Sequence, residues 1–249
     1  MKTVLITGCS SGFGLEIAKY FLNHEWKVIA TMRAPSDDIL PKSEHLRVLK
    51  LDVTDAESIR RAVEEAGAID VLVNNAGVGM LGPFESTSMD AVRDVFETNT
   101  FGTMAMTQAF LPQFRARRAG AVVNVASTVT LKALPLLPVY TASKAAVVAF
   151  TQSLALELKE FNIRVGVVLP GMAPETAFAS NASGRIAQAF PEDYSATMHA
   201  VMSGFQNYVG PVTHSIDVAK AVWQVVQDGS TAFRVPAGAD AVEWFNEVA

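Results

Sequence analysis

The chain has 249 residues, half of them apolar and only 18% charged, which excludes a disordered or coiled-coil polypeptide and favours a compact globule. Its net charge of −5, with Lys and Arg spread along the chain, gives no support to a nucleic-acid or membrane partner. The single cysteine, Cys9, cannot form an internal disulfide, and the scattered His24, His45, His199 and His214 lack the spacing of a metal site.

Residues 1–8 run straight into an apolar strand and a glycine turn, without the apolar run of a leader, and no later stretch is long enough to span a bilayer. A cytoplasmic protein without a metal centre is therefore expected. Short Val/Ile/Leu runs at 4–6, 27–31, 46–51, 69–73, 121–125 and 164–169 read as strands, apolar on both faces as in a parallel sheet covered by helices. Helical patterns at 13–22, 55–66, 88–114, 139–160 and 215–227 alternate with them. This alternation predicts an α/β fold, a Rossmann-like doubly wound parallel sheet. With no repeat or linker in view, residues 1–249 read as one domain. Residues 170–212 mix Gly, Pro, Met and aromatic residues without a period, and a loop that long predicts a lid over a site.

The first strand leads into Thr7-Gly8-Cys9-Ser10-Ser11-Gly12-Phe13-Gly14 and then a helix. Glycines there allow a tight turn, close approach of a pyrophosphate and packing of helix on sheet, while the helix N-terminus favours phosphate. Gly8, Ser10, Ser11, Gly12, Phe13 and Gly14 are thus candidate cofactor residues. The same stretch satisfies G-x-S-x-G, the nucleophile elbow of α/β-hydrolases, with Ser10 as nucleophile and Asp193, His199 or His214 as partners. Its position on the first strand argues against that reading, because the hydrolase oxyanion hole draws on an earlier loop.

Further along come Asn74-Asn75-Ala76-Gly77, Asn99-Thr100-Phe101-Gly102, Ser127, and Tyr140-Thr141-Ala142-Ser143-Lys144. Tyr140 and Lys144 lie four apart on one helix face, and Pro138 suits the start of that helix. A free tyrosine titrates near 10, and a nearby ammonium favours its ionised form. A shift of three units would require roughly 4 kcal/mol. A lysine head and a cofactor positive charge supply it in a closed site, so Tyr140 serves as general acid/base for a carbonyl with Lys144 lowering its pKa. Taken singly, each of these residues also has a packing or solvated reading.

Together with the glycine turn, these segments resemble the short-chain dehydrogenase/reductase family over nearly the whole chain. The resemblance implies NADPH-dependent, reversible reduction of a ketone or aldehyde, with Ser127 orienting the carbonyl and Asn99 shaping a water chain to Lys144. It places Asp52, with Val53 beside it, at the adenine, and Asn75, Ala76 and Gly77 along the adenosine ribose. Pro170 and Gly171 match the nicotinamide-side turn, and Thr176 stands one residue beyond the family's threonine. No acid occurs between Glu25 and Asp37, where NAD-preferring folds place one, and Arg33 suits the 2′-phosphate of NADP(H).

Leu131, Leu134, Leu136, Leu137, Met172, Phe178, Phe190, Met198, Met202 and Phe205 are the expected pocket walls and favour a small hydrophobic substrate. The segment 145–158 is small or apolar on nearly every face, so a homodimer or homotetramer is expected, with Val92, Val95, Phe96, Met104, Met106 and Phe110 as further interface candidates. A non-catalytic NADP(H) sensor is the third function class; it gives no reason to keep Tyr140, Lys144, Ser127 and Asn99 together.

Overall fold

Strands apolar on both faces need a covering layer on each side, and the computed structural model supplies it. It describes residues 1–36, 38–176, 191–228 and 232–248. The strands are β1 (Thr3–Thr7), β2 (Lys27–Met32), β3 (Leu46–Lys50), β4 (Val71–Asn74), β5 (Gly120–Val125), β6 (Ile163–Pro170) and β7 (Arg234–Ala237). They form one parallel sheet in the order β3-β2-β1-β4-β5-β6-β7. The order reverses between β1 and β4, and such a switch point opens a crevice at the C-terminal strand ends.

The helices are α1 (Gly12–Asn23), α2 (Ala56–Ala66), α3 (Met89–Phe96), α4 (Gly102–Arg117), α5 (Pro138–Leu158), α6 (Ser195–Gln206), α7 (Ser215–Gln227) and α8 (Ala239–Val248). Alternation along β1 sends Val4 and Ile6 to one face and Leu5 to the other. On the first face they meet Ile17 and Phe21 of α1 and Val222 and Val226 of α7. On the second, Leu5 joins Ile59 of α2, Phe110 and Phe114 of α4, and Leu154 of α5.

Three features depart from the sequence expectation. The helix expected over 88–114 is broken by a π-helical turn, Glu97–Phe101, that carries Asn99. The break leaves Val95, Met106 and Phe110 in the core, so these three are not interface residues. Within 170–212, residues 195–206 form α6, a helix with no buried residue. The third departure is β7 with α8, which close the sheet's far edge. Pro236 is tolerated in β7 because an edge strand does not need every N–H.

One contact decides how α1 meets β1. A Cβ on Gly14 would stand 2.2 Å from the Gly8 carbonyl oxygen and 2.8 Å from its carbon, both rigid backbone. Gly14→Ala should therefore lower unfolding free energy by about 1–3 kcal/mol in urea titrations. Unchanged stability would show that α1 does not need this approach.

Candidate active site

The site begins where β1 runs out. The Thr7 hydroxyl accepts the Asn75 and Ala76 N–H groups, each at 2.9 Å, tying the turn after β4 to the end of β1. Asn75 Nδ2 donates to the Thr7 and Gly8 carbonyls at 2.9 and 3.2 Å, so its side chain joins the two turns. Gly8 has φ +74°, and a Cβ there would lie 2.9 Å from Ala76 Cα. Only glycine fits that conformation and approach without strain. Ser11 precedes α1 and makes no side-chain bond to its first turn, a helix start suited to phosphate.

A groove of about 630 Å³ follows these turns. Gly8, residues 10–13, Arg33, Asp52, Val53, residues 75–77 and Thr176 line it together, so most of the expected cofactor residues share one cavity. Asp94, Glu97 and Thr98 line it too, and sequence reasoning missed them because nothing marks the π turn that brings them there. Desolvation pushes the Asp52 carboxyl up, but bonds from the Thr54 N–H and hydroxyl, with the nearby Arg33 charge, leave it below its ordinary value. Thr176 reaches the groove despite its displacement, because its own hydroxyl and N–H close a turn onto the Ala173 carbonyl. It lies beside Gly12, where a Cβ would meet the Thr176 Cβ at 3.4 Å. The glycine cradle, the open helix start and the exposed Arg33 fit a dinucleotide phosphate chain.

The expected chemical group assembles at the end of β5. Pro138 opens α5, placing Tyr140 and Lys144 one turn apart, 6% and 5% exposed. The Tyr140 hydroxyl is hydrogen-bonded to Ser127, whose oxygen also accepts the Val129 N–H at 3.3 Å. Lys144 Nζ donates to the Val125 carbonyl at 3.0 Å. A Cβ on Gly77 would come 3.2 Å from that Nζ, which brings the dinucleotide groove against the lysine.

Burial pushes the Tyr140 phenol up to about 12, with the Ser127 bond opposing, and Lys144 is not among the groups that shift it. Burial lowers the Lys144 ammonium itself to about 8. Within the protein alone, desolvation therefore outweighs the charge effect expected of the pair.

Asn99 is anchored through its side-chain amide. Its Oδ1 accepts the Val78 N–H at 2.8 Å, and its Nδ2 donates to the Val78 carbonyl and the Ser143 hydroxyl at 2.9 and 3.0 Å. Ser143 in turn donates to the Tyr140 carbonyl at 2.7 Å. The Asn99 side chain thus fixes the π turn to α5 directly beneath Tyr140.

The expected pocket walls divide. Leu136 is buried with φ +64°, and Leu131 packs with Ala126, Val148 and Phe245 in a small core. Leu134, Leu137, Met172 and Met198 are half-buried, while Met202 and Phe205 are exposed on α6. Phe178 and Phe190 lie outside the described residues. Ser10 lines the groove, and among the described residues no histidine is hydrogen-bonded to it, so the nucleophile–base pair of a hydrolase triad is not formed. Among the described residues, no helix is long and apolar enough to cross a membrane, and no His, Cys, Asp or Glu cluster of three could hold a metal.

Residues 2–205 match the model of the short chain dehydrogenase family. Retinol dehydrogenase 8 of Bos taurus is 35% identical over 248 residues, covering 90% of this chain and 78% of that one. A 3-ketodihydrosphingosine reductase of Bacteroides thetaiotaomicron is 34% identical over 241 residues, covering 95% and 88%. A closed form of serine dehydrogenase complexed with NADP+ superposes with TM-score 0.81 at 28% identity, covering 96% of this chain and 95% of that one. A 3-ketoacyl-(acyl-carrier-protein) reductase of Brucella melitensis complexed with NADH gives TM-score 0.76 at 26% identity, covering 94% and 96%. The chain belongs to the short-chain dehydrogenase family, oxidoreductases that work with a nicotinamide cofactor. That membership leaves the nucleophile reading of Ser10 without support.

Buried Lys144 makes stability depend on pH. Between about 8 and the ordinary 10.5, the unfolded chain still holds a proton that the folded chain has lost, so stability rises with pH. Tyr140 acts oppositely above pH 10, where only the folded chain keeps its proton up to about 12. Comparison with Lys144→Met cancels the tyrosine. The wild-type minus variant unfolding free energy should climb by up to about 3 kcal/mol from pH 8 to 10.5 in urea titrations. A flat difference would mean that Lys144 is not held near 8.

Proposed function

We propose that this protein reduces a small hydrophobic ketone or aldehyde to its alcohol with NADPH, reversibly. The observation that carries the reading is the buried group at the C-terminal end of β5: Tyr140 bonded to Ser127, one helical turn from Lys144, against Gly77 of the groove. The bound dinucleotide supplies the hydride. Ser127 binds the substrate oxygen and holds it beside the phenol. A phenol near 12 keeps its proton at neutral pH, the state required of a donor to a carbonyl oxygen that is gaining negative charge. Because an alkoxide is a stronger base than a phenolate, transfer from Tyr140 runs downhill. The Lys144 ammonium offsets the negative charge left on the phenol oxygen. Asn99 holds the backbone that carries Tyr140, through Ser143.

NADPH is favoured over NADH by Arg33, exposed on the groove, and by the lack of an acid at the end of β2. An apolar substrate is supported by the Leu-rich wall after Ser127, and by two relatives named for retinol and for 3-ketodihydrosphingosine. A homodimer or homotetramer is supported by apolar surface on α5 and at the head of α4, where Leu156 is 76% and Phe101 52% exposed. The single buried thiol of Cys9 suits a cytoplasmic setting.

Two variants test the reading. Arg33→Ala should raise the Michaelis constant for NADPH and leave that for NADH nearly unchanged in initial-rate assays. Equal losses with both would show that Arg33 does not read the phosphate. Tyr140→Phe keeps the packed ring, so NADPH binding should survive while single-turnover ketone reduction falls about 10²–10⁴-fold. A near-wild-type rate would rule out Tyr140 as the acid, and no turnover of any carbonyl by the wild type would favour the sensor.

A further inference from the structure

Three segments far apart in the chain meet behind the turn that follows β6. The Gly171 N–H donates to the Thr213 hydroxyl at 2.9 Å, and the Met172 N–H to Asp240 Oδ2 at 2.6 Å. The Thr213 N–H returns to the Met172 carbonyl at 2.8 Å. The single hydroxyl hydrogen of Thr213 faces both Asp240 Oδ1 at 2.7 Å and the Ala237 carbonyl at 2.8 Å. Both side chains are buried, Thr213 fully and Asp240 to within 4%.

A carboxylate taken from water needs strong compensation. Here it comes from the Met172 N–H, the Thr213 hydroxyl and the first turn of α8, where the helix dipole favours negative charge. The fit leaves no slack. A Cβ on Gly171 would stand 2.0 Å from Asp240 Oδ2, so the carboxylate itself accounts for glycine there. Gly238, at φ +103°, passes so close to Thr213 that a Cβ would lie 2.1 Å from the hydroxyl oxygen. The far end of the same loop is fastened to the same place: Glu175 accepts the Ser215 N–H at 2.7 Å and faces His214 at 3.1 Å. From there Thr176 enters the groove beside Gly12.

We propose that Thr213 and Asp240 are positioning residues, a latch that sets the 170–172 turn and through it the nicotinamide half of the cofactor groove. Both stand beyond the 2–205 stretch that matches the family. The proposal rests on the dinucleotide reading above and deepens it: the adenine half is held by the turns after β1, β2 and β4, whereas the nicotinamide half depends on the C-terminal segment.

The test compares NADPH with its adenine half, 2′,5′-ADP, by fluorescence titration and competition on the full chain. Should the wild type prefer NADH, NADH and 5′-AMP take their place. Asp240→Ala and Thr213→Val should each weaken the dinucleotide about tenfold or more and lower kcat, with the adenine fragment bound as in the wild type. Asp240→Asn, whose amide oxygen can accept the Met172 N–H, should recover most of the loss. If Asp240→Ala does not fold, Thr213→Val and Asp240→Asn carry the comparison. Parallel losses for both ligands would reduce the latch to a general stabilising contact, and no change for either would remove its role; each overturns the proposal. Wild type that binds neither ligand would overturn the cofactor reading itself, and the latch's role with it.

Discussion

An ammonium withdrawn from water costs several kcal/mol unless dipoles replace its solvent, and Lys144 meets that demand at the C-terminal end of β5, where the Val125 carbonyl accepts from Nζ. Much of the surrounding arrangement follows. The ammonium reaches β5 only because α5 lies close on the sheet, with Ser143, Val147 and Thr151 turned inward beside it. Gly77 leaves the space into which Nζ projects. The wall opposite is the π turn, whose Asn99 uses its whole amide on Val78 and Ser143. A regular helix through 97–101 would present a different residue to α5, so the π turn and the buried lysine belong to one solution.

The same helices carry a second set of buried polar groups. Asn74 Nδ2 donates to Asn124 Oδ1 at 2.8 Å and to the Thr107 hydroxyl at 3.0 Å, and Asn124 Nδ2 donates to Thr151 at 2.8 Å. These bonds join β4, β5, α4 and α5 inside an otherwise apolar interior. A slip of either helix would strand buried donors, so the set fixes register more than it adds stability. It helps keep Tyr140 and Lys144, on one helix, aligned with Ser127 just after β5.

Legibility in the sequence tracked how local each determinant is. The first six strands and the glycine turn carry their information in short contiguous patterns, and so does the Tyr140–Lys144 pair. The π turn does not, since one extra residue per turn leaves apolar residues on both sides of it. β7 is four residues long and contains Pro236, which reads as a loop until its edge position is known. Asp240 is an acid near the chain end with no spacing to any motif; its partners, Met172 and Thr213, are brought to it by the sheet. The burial of Tyr140 is illegible for a related reason. The i,i+4 spacing reveals the lysine, but the degree of burial, which governs the phenol, depends on packing of the whole edge.

The segment before α5 and the helix α6 differ in how firmly they are held. Leu136 occupies the left-handed region, which costs a bulky residue on the order of 1–3 kcal/mol. It is kept there by burial and by the Gly82 N–H, which donates to its carbonyl at 2.8 Å. Strain is retained only where neighbours over-determine it, so the chain at Leu136 is held in place. By contrast, α6 has no buried residue, and the Tyr194 hydroxyl just before it bonds to Glu85, between β4 and α3. A helix with so little burial opens at small free-energy cost.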